Sequence, residues 1–388
     1  MNPAVMPTYG RTDVQFVRGE GAWLIDHHGE RYLDALSGLG VVALGHANEA
    51  VALALTHQSQ NLLHTSNLYR IPGQERLAER LAIISGMDNM FFGNSGAEAC
   101  ECAIKIARLY GHNKGFSDPT IIVAESAFHG RTMATLTATG NRKVQAGFEP
   151  LVSGFLRVPF NDVPAIEKIA ETANQVTAIF VEPIQGEGGI QVPDPTYLPK
   201  LRALCDANDW LLIVDEVQSG NARTGAYFCY QHSGILPDLV TTAKGLGNGV
   251  PIGVCLARGA AAEVFKPGNH GSTFGGNPLS CAAANAVLDE FERLNLIQHA
   301  AEMGDYIQAQ FRSHLAGDNR VRDIRGMGLM IGVELAKPCT ELIQQAFERK
   351  LLLNVTADSV IRLLPPLIIN QSEADLIVGT VCDLIKQI

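Results

Sequence analysis

The sequence predicts an α/β fold built on a mostly parallel sheet, followed by a smaller α+β lobe. Short apolar runs alternate along the chain with segments whose apolar residues recur at helical intervals. This alternation is typical of strands joined by crossover helices, a connection that makes the strands parallel. After about residue 281 the pattern changes to an amphipathic helix and then a strand-like segment, which indicates the second lobe.

Individual elements follow from the same patterns. The runs that read as buried strands are Thr120–Ala124, Thr177–Val181, Leu211–Val214, Leu239–Thr242 and Ile252–Leu256. Helical spacing covers Leu198–Asn208 and Cys281–Leu294, and Val321–Glu334 is strand-like. A chain of 388 residues is too long for one small core. We expect an N-terminal segment (1–45) that packs with the small domain, a large domain (46–281) and a C-terminal small domain (282–388).

Composition excludes several classes of function. The 30 basic and 40 acidic residues give a net charge of −10, so the chain lacks the basic surplus that nucleic-acid binding requires. Its 8 cysteines are scattered without a C-x-x-C pair, which indicates neither a metal site nor a disulfide framework. The N-terminus has no signal-peptide pattern, and no segment is apolar enough to cross a bilayer. We therefore expect a cytoplasmic protein without membrane or nucleic-acid partners.

Lys244 ends a β-branched run and leads directly into a glycine-rich loop. No other charged residue lies between Asp238 and Arg258, and the glycines allow a ligand to approach the backbone closely. This setting suits a lysine that forms a Schiff base with a planar aldehyde such as pyridoxal phosphate. The competing interpretation is a solvated lysine at a strand end.

Asp215 stands at the end of another apolar run, Leu211–Val214. A buried carboxylate needs a cation, a metal or a ring of hydrogen-bond donors, and a protonated pyridine nitrogen is such a cation. Asp215 could equally cap the turn that follows the strand. The Asp-Glu pair resembles a Walker-B end, but the chain lacks the G-x-x-x-x-G-K-[ST] loop of a nucleotidase.

Two further segments carry candidate ligand-binding groups. Ser95 and Gly96 open a helical pattern, where free backbone N–H groups can hold a phosphate; Ser95-x-x-Glu98 is also a capping box that would satisfy the same groups. Phe128 could stack on a cofactor ring, or simply pack in the core, and Arg131 could hold a carboxylate. Arg223 and Arg258 read as surface charges.

Arg362 is the one charged residue in the otherwise apolar stretch 360–369. An arginine is rarely buried alone, so we expect a carboxylate partner, and Glu187 is a candidate. A structural ion pair explains the same pattern. The loop 270–278, rich in glycine and hydroxyl residues, fits a phosphate contact or any tight turn.

Taken together and in this order, the motifs resemble those of the class III pyridoxal-phosphate-dependent aminotransferases, from about Tyr9 to the C-terminus. The matching segments are Asn94–Glu98, Phe128–Arg131, Val181–Gly189, Asp215–Gln218, Ala243–Lys244, Gly271–Pro278 and Ile324–Gly328. The resemblance implies the type I aminotransferase fold, with a seven-stranded, mostly parallel sheet in the large domain. It also implies a homodimer with active sites at the subunit interface.

The resemblance further assigns roles to residues of this chain. Lys244 would bind the cofactor and shuttle a proton, Asp215 would pair with the pyridine nitrogen, Phe128 would stack on the ring, and Gln218 would lie near the phenolic oxygen. The remaining cofactor contacts would come from Ser95, Gly96, Ala97 and His129, with Thr273 supplied by the other subunit. Arg131 and Ser272 would contact the substrate.

The implied reaction moves the δ-amino group of N2-acetyl-L-ornithine to 2-oxoglutarate, a step of arginine biosynthesis. Glu187 would pair with Arg362 while the amine donor is bound, then swing away so that Arg362 holds the α-carboxylate of 2-oxoglutarate. Variants of this reading use succinylornithine, succinyl-diaminopimelate, ornithine or 4-aminobutyrate. An aminomutase or racemase on the same scaffold, or a pyridoxal-phosphate-binding protein without catalysis, are the alternatives.

Three positions depart from the family pattern. Ala97 stands where threonine is common, which removes one hydroxyl contact to phosphate. Cys100 stands where asparagine is common, and Asn221 and Ala222 replace the usual Met-Gly before Arg223.

Overall fold

The computed structural model describes residues 4–388. Its strands are β1 (Phe16–Glu20), β2 (Trp23–Asp26), β3 (Arg31–Asp34), β4 (Asn89–Gly93), β5 (Thr120–Ala124), β6 (Phe155–Val158), β7 (Val176–Val181), β8 (Leu211–Asp215), β9 (Leu239–Thr242), β10 (Gly253–Ala257), β11 (Val321–Met327), β12 (Met330–Leu335), β13 (Leu351–Leu352), β14 (Asn354–Thr356) and β15 (Val360–Leu363).

The helices are α1 (Ser37–Gly40), α2 (Glu49–Asn61), α3 (Pro72–Ser85), α4 (Gly96–Asn113), α5 (Met133–Ala138), α6 (Arg142–Gln145), α7 (Val163–Thr172), α8 (Tyr197–Asn208), α9 (Pro278–Arg293), α10 (Leu296–His314), α11 (Leu342–Glu348) and α12 (Gln371–Ile385). Short 3-10 turns cover Cys229–Ser233, Lys244–Leu246 and Gly259–Glu263.

The largest sheet has seven strands in the order β4-β10-β9-β8-β7-β5-β6. Strands β9, β8, β7, β5 and β6 run parallel to their neighbours in that order, whereas β10 is antiparallel to both β4 and β9. The predicted mostly parallel sheet is confirmed. Parallel order places the carboxyl ends of β7, β8 and β9 side by side, which is where ligands of open α/β sheets bind.

Helix α4 shows why this chain forms crossover helices against the sheet. Its fully buried residues include Ala99, Cys102, Ala103, Ile106 and Ala107, which recur at intervals of three and four and form one face. That face packs against β9 and β10, and its small side chains allow close contact. The position of the helix start relative to the sheet is thereby determined by packing.

Two smaller sheets lie outside the large one. The order β1-β2-β3-β13 joins the N-terminal strands to the C-terminal part through a parallel pairing of Leu33 with Leu351. The other sheet has the order β11-β12-β15-β14. The segment predicted as one strand-like unit, Val321–Glu334, is a hairpin of β11 and β12 that turns at Gly328 with φ +52°. A Cβ there would lie 2.6 Å from the carbonyl carbon of Thr224, so glycine is required.

The predicted boundary between 281 and 282 falls inside α9, a continuous helix that packs against α2 and α3. The boundaries 1–45, 46–281 and 282–388 therefore stay a prediction. Among residues 4–388, the structure contains no helix with the length and apolar character that crossing a bilayer requires.

Candidate active site

A cavity of about 400 Å³ opens at the carboxyl ends of β7, β8 and β9. Glu182, which follows β7, and Asp215, the last residue of β8, line its wall. Lys244, two residues beyond β9, lines the same wall. The structure therefore brings together Asp215 and Lys244, which the sequence indicated separately, and adds Glu182 to them.

The carboxylate of Asp215 is almost completely buried and accepts hydrogen bonds from four donors. The Val217 N–H and the Thr241 hydroxyl donate to Oδ1 at 3.0 and 2.9 Å. On Oδ2, His129 Nδ1 lies at 2.7 Å and the Cys100 thiol at 3.3 Å. These donors hold the carboxylate in one orientation toward the cavity, as a cationic ring nitrogen requires.

Cys100 reaches Asp215 from the buried face of α4. Burial, with the negative charge of Asp215, raises the pKa of the Cys100 thiol well above its usual range. The sulfur therefore keeps its proton and acts as a donor. Its ligand atom lies within 4.8 Å of those of His129 and Asp215, a spacing that could hold a metal ion, but a protonated thiol is a poor ligand. The sequence marked this cysteine as a departure and indicated no partner for it.

Lys244 is held in an uncommon backbone conformation. Its φ is +42°, in the left-handed region that side chains with a Cβ seldom adopt. Burial and the nearby charge of Arg362 lower the pKa of its amine, against the opposing charges of Glu187 and Asp215. A lowered pKa increases the fraction of neutral, nucleophilic amine.

The start of α4 is compatible with both roles considered for it, helix capping and phosphate binding. The Ser95 hydroxyl accepts from the Glu98 N–H at 3.1 Å, so the helix is capped. Glu98 Oε2 in turn accepts from the Asn94 N–H at 2.5 Å. The cap thus satisfies the N–H groups of Asn94 and Glu98.

The N–H groups of Gly96 and Ala97 precede the first intrahelical bond, which runs from the Ala99 N–H to the Ser95 carbonyl. Both residues line the cavity. A Cβ at Gly96 would lie 2.7 Å from Val217 Cγ1, so only glycine fits. The cap therefore leaves these two backbone donors for a phosphate.

Phe128 and His129 follow β5 and form another wall of the cavity. The Phe128 N–H donates to Glu182 Oε1 at 2.9 Å, and the His129 ring stacks on Phe180 with centroids 3.9 Å apart. His129 Nε2 is buried without a hydrogen-bond partner. Arg131 is exposed at the cavity edge, with its guanidinium 5.6 Å from the Phe128 ring centroid.

Arg362, on β15, reaches the same region from the C-terminal part of the chain. Its Nη1 lies 2.5 Å from Glu187 Oε1 and 3.2 Å from Gln218 Oε1. Burial acts to raise the pKa of Glu187, but the charge and hydrogen bond of Arg362 outweigh it and lower that pKa. Glu187 is thus held ionised beside the arginine. The carboxylate partner expected for Arg362 is present, and its switching role stays a prediction.

Ser272 and Thr273 do not line this cavity. The Ser272 hydroxyl accepts from the Gly275 N–H at 3.0 Å and from Asn94 Nδ2 at 3.2 Å, and Thr273 is exposed. The roles expected for these two residues stay predictions.

The interpretation of Arg223 as a surface charge is wrong, because the residue is 2% exposed. Its Nη1 donates to the carbonyls of Leu329 (3.1 Å) and Pro365 (2.5 Å), and burial lowers its pKa to about 9.

Asn221, which departs from the family pattern, is accommodated by its surroundings. It adopts φ +57°, and its side-chain amide donates to the carbonyl of Ala243, next to Lys244. The hydrogen bonds of Arg223 and Asn221 join residues that are far apart in the sequence, so no local pattern predicts them.

The chain matches known proteins along nearly its whole length. The family model described as "Aminotransferase class-III" matches residues 5–385. The acetylornithine aminotransferase of Nitrosomonas europaea is 56% identical, with 98% of this chain and 97% of the relative covered. Acetylornithine aminotransferase 1 of Bordetella pertussis is 50% identical, covering 100% and 98%.

Solved structures show the same fold. The ornithine aminotransferase of Toxoplasma gondii superposes with a TM-score of 0.95 at 32% identity, covering 99% of this chain and 93% of that one. Another structure of that enzyme has pyridoxal phosphate (PLP) at partial occupancy in its active site. The acetylornithine aminotransferase of Elizabethkingia anophelis gives 0.87 at 31% identity, covering 98% and 96%. This chain belongs to the class-III aminotransferase family, whose members are pyridoxal-phosphate-dependent transaminases.

Proposed function

We propose that this protein transfers the δ-amino group of N2-acetyl-L-ornithine to 2-oxoglutarate, forming N-acetyl-L-glutamate 5-semialdehyde and L-glutamate. The main support for the proposal is the ion pair between Glu187 and Arg362 beside Lys244. Arg362 is buried, whereas Glu187 is partly exposed and its carboxylate can move away from the arginine. Relatives with 45 to 56% identity are named acetylornithine aminotransferases, which supports the choice of donor.

The cavity has groups that fit each part of pyridoxal phosphate. The N–H groups of Gly96 and Ala97, beside Ser95, suit the phosphate, and Asp215 suits a protonated ring nitrogen. Phe128 lies against the cavity where a ring would stack, and Gln218 lines the wall. Lacking a hydroxyl, Ala97 offers only its backbone N–H. When bound, the cofactor supplies an aldehyde that takes up the amino group and a ring that withdraws electrons.

Lys244 supplies the nucleophile and the proton carrier. Its lowered pKa leaves Nζ neutral in a larger fraction of molecules, the form that would hold an aldehyde cofactor covalently. Nζ would also be the group that accepts a proton from the substrate carbon and returns it. Asp215, bound by four donors, keeps the ring nitrogen protonated without moving itself.

The two substrates place opposite demands on one pocket. The carbon that bears the δ-amine of the donor has no carboxylate, so Glu187 neutralises Arg362 while the donor is bound. The reacting end of 2-oxoglutarate has an α-carboxylate, which replaces Glu187 on the guanidinium. Because one carboxylate replaces another, Arg362 is never left buried and unpaired.

The far ends of both substrates point to the cavity mouth. Arg131 stands between the inner cavity and an outer one of about 530 Å³, which Glu187, Arg142 and Lys143 also line. A carboxylate at the far end of either substrate would pair with Arg131. Ser272 would contact the acyl group, provided that the loop around it reaches the site of another subunit.

We infer that the protein is a homodimer in which Thr273 of one subunit completes the phosphate site of its partner. Large apolar side chains remain exposed near the 271–275 loop, namely Leu62 (48%), Leu63 (54%), Leu68 (87%), Tyr69 (69%) and Phe274 (60%). Such side chains are commonly covered in an oligomer. Light scattering should give twice the chain mass, and Leu68→Glu should lower both that mass and cofactor retention. A monomer with full cofactor affinity would contradict the inference.

We also propose a cytoplasmic location. All 8 cysteines are unpaired and buried. Free thiols persist in reducing compartments. Cell fractionation with the activity as marker tests this, and activity confined to an oxidising compartment would refute it.

A half-reaction screen tests the donor. Purified protein with its aldehyde cofactor is mixed with N2-acetyl-L-ornithine, N2-succinyl-L-ornithine, L-ornithine or 4-aminobutyrate, and loss of the aldehyde absorbance is followed. We expect the largest kcat/KM for N2-acetyl-L-ornithine, and recovery of the absorbance when 2-oxoglutarate is added. A larger value for another donor would overturn the substrate assignment, and recovery without any acceptor would favour an aminomutase.

A further inference from the structure

Glu182 is a buried carboxylate in the cavity wall to which the proposed chemistry gives no task. It follows β7 and is 5% exposed. The charged or titratable groups around it are Cys100, His129, Asp215 and Lys244. Burial raises its pKa to about 7, with Asp215 acting in the same direction and His129 against it. A group kept at this energetic cost needs a compensating set of contacts.

One carboxylate oxygen of Glu182 holds the aromatic wall. Oε1 accepts from the Phe128 N–H at 2.9 Å. Phe128 precedes His129, which donates to Asp215. The position of this backbone N–H therefore determines where the Phe128 ring and the Asp215 partner stand relative to the cavity.

The other oxygen holds the loop that carries Glu187. Oε2 accepts from the Gly186 N–H at 3.2 Å. Gly186 is tightly enclosed, because a Cβ there would lie 1.9 Å from Gln218 Oε1. On the far side, the Thr356 hydroxyl donates to the Glu187 carbonyl. The backbone on both sides of Glu187 is thus anchored, and a swing of Glu187 is confined to its side chain.

We propose that Glu182 is a positioning residue: its two oxygens link the Phe128 wall to the pivot of Glu187, so that one side chain sets both cofactor stacking and the alternation of substrates. This inference rests on the proposed function. Each oxygen serves a different backbone N–H, so the ionised carboxylate satisfies both. A side chain with one acceptor oxygen satisfies only one of them.

Glu182→Gln tests the link, because the amide keeps the length and shape but turns an NH2 donor toward one of the two N–H groups. We expect the cofactor dissociation constant to rise about tenfold. We also expect a weaker visible circular dichroism band of the bound cofactor, which reports the asymmetry of its surroundings. In single turnovers the amine-donor step should slow about fivefold more than the 2-oxoglutarate step, since misplaced Glu187 neutralises Arg362 less well.

Glu216→Gln is the matched control. Glu216 is also fully buried, its pKa is also raised to about 7 by burial, and it accepts from the Tyr230 N–H and the Ser219 hydroxyl. It does not line the cavity. Its variant should lose stability at pH 5, where Glu216 is mostly protonated, and the ratio of half-reaction rates should stay unchanged. Thr356→Val, which removes only the anchor on Glu187, should change the ratio without changing cofactor affinity.

If the glutamine variant does not fold, Glu182→Asp replaces it in the test. Aspartate keeps the charge but reaches only one N–H group, so we expect the same changes in cofactor affinity, dichroism and rate ratio. If the Glu182 variants lose stability like Glu216→Gln while cofactor affinity and the rate ratio stay at wild-type values, the inference is wrong. Failure of the wild type to react with N2-acetyl-L-ornithine would instead refute the proposed function. In that case the dissociation constant and the dichroism still decide the role of Glu182.

Discussion

Arg362 Nη1 lies 2.5 Å from Glu187 Oε1, and the two side chains differ in burial: 1% of Arg362 is exposed against 39% of Glu187. The arginine is also held by Asn354, whose Oδ1 accepts from Nε at 3.1 Å. The glutamate is therefore the partner that is free to move. This asymmetry explains how one site could bind a substrate with a carboxylate at the reacting carbon and another without one.

Glu187→Gln should favour substrates that carry an α-carboxylate. Without the charge of Glu187, Arg362 stands unneutralised and attracts L-glutamate even when a δ-amine donor competes. The ratio of kcat/KM for L-glutamate to kcat/KM for N2-acetyl-L-ornithine should rise about tenfold or more. Stopped-flow half-reactions measure both values, and an unchanged ratio would refute the switch.

Arg362→Ala should impair the 2-oxoglutarate half-reaction more than the donor half-reaction. Removing the guanidinium deletes a charge-assisted contact that only the α-carboxylate uses. The loss of rate in single turnovers should therefore be about a hundredfold larger for the 2-oxoglutarate half-reaction. Arg362→Lys keeps the charge and should recover part of the loss. Equal losses in both halves would show that Arg362 acts only as a structural ion pair.

Cys100→Ala should alter the ring environment through Asp215. Loss of the thiol donor leaves more negative charge on Asp215 Oδ2, so the carboxylate attracts the ring proton more strongly. The pH at which the bound cofactor changes its absorbance should move upward by less than about one unit. Cys102→Ala, at a buried position that lacks the Asp215 contact, is the control. Equal shifts in both variants would exclude a specific effect of Cys100.

The pKa of Glu216, raised by burial from its ordinary 4.5 to about 7, predicts a pH dependence of stability. Between these values the folded state binds this proton more tightly than the unfolded state, so its contribution is present below pH 4.5 and is lost as the pH rises through 7. Glu216→Gln removes the effect. At pH 5 the variant should be the less stable protein, because its amide turns a donor toward one of the two groups that donate to Glu216. Between pH 5 and pH 8 the stability of the variant relative to wild type should then rise by about 2.5 kcal/mol.

Urea denaturation of both proteins at the two pH values measures this gain. A difference between the variant and the wild type that stays constant with pH would contradict the assignment of the titration to Glu216.

Much of the fold was predictable because apolar runs and helical spacing are local signals. Thr120–Ala124 and Leu239–Thr242 match β5 and β9, and the polar residues at two strand ends, Asp215 and Lys244, marked the ligand edge of the sheet. The direction of β10 was not predictable. A strand buried on both faces reads as a continuous apolar run in either orientation. The hairpin within Val321–Glu334 was not predicted because its turn, at Gly328, lies between apolar residues and lacks an Asn-Gly or Asp-Gly signal.

The site was predictable to the extent that its motifs are short. Lys244, Asp215 and the Ser95–Ala97 turn carry local signals. The tasks of Cys100, Glu182 and Arg223 depend on partners far away in the sequence, such as the 115 positions between Cys100 and Asp215. Pairings of that kind are set by packing and leave no trace in spacing.

The identity of the lysine that carries the cofactor decides whether the active site is assigned correctly. Borohydride reduction of the holoprotein makes the bond between pyridoxal phosphate and its lysine permanent, and peptide mass spectrometry then locates the modification. We expect modification of Lys244 alone in the wild type. In Lys244→Ala we expect neither the modification nor turnover. Stoichiometric modification of a different lysine, or turnover that survives Lys244→Ala, would contradict the assignment.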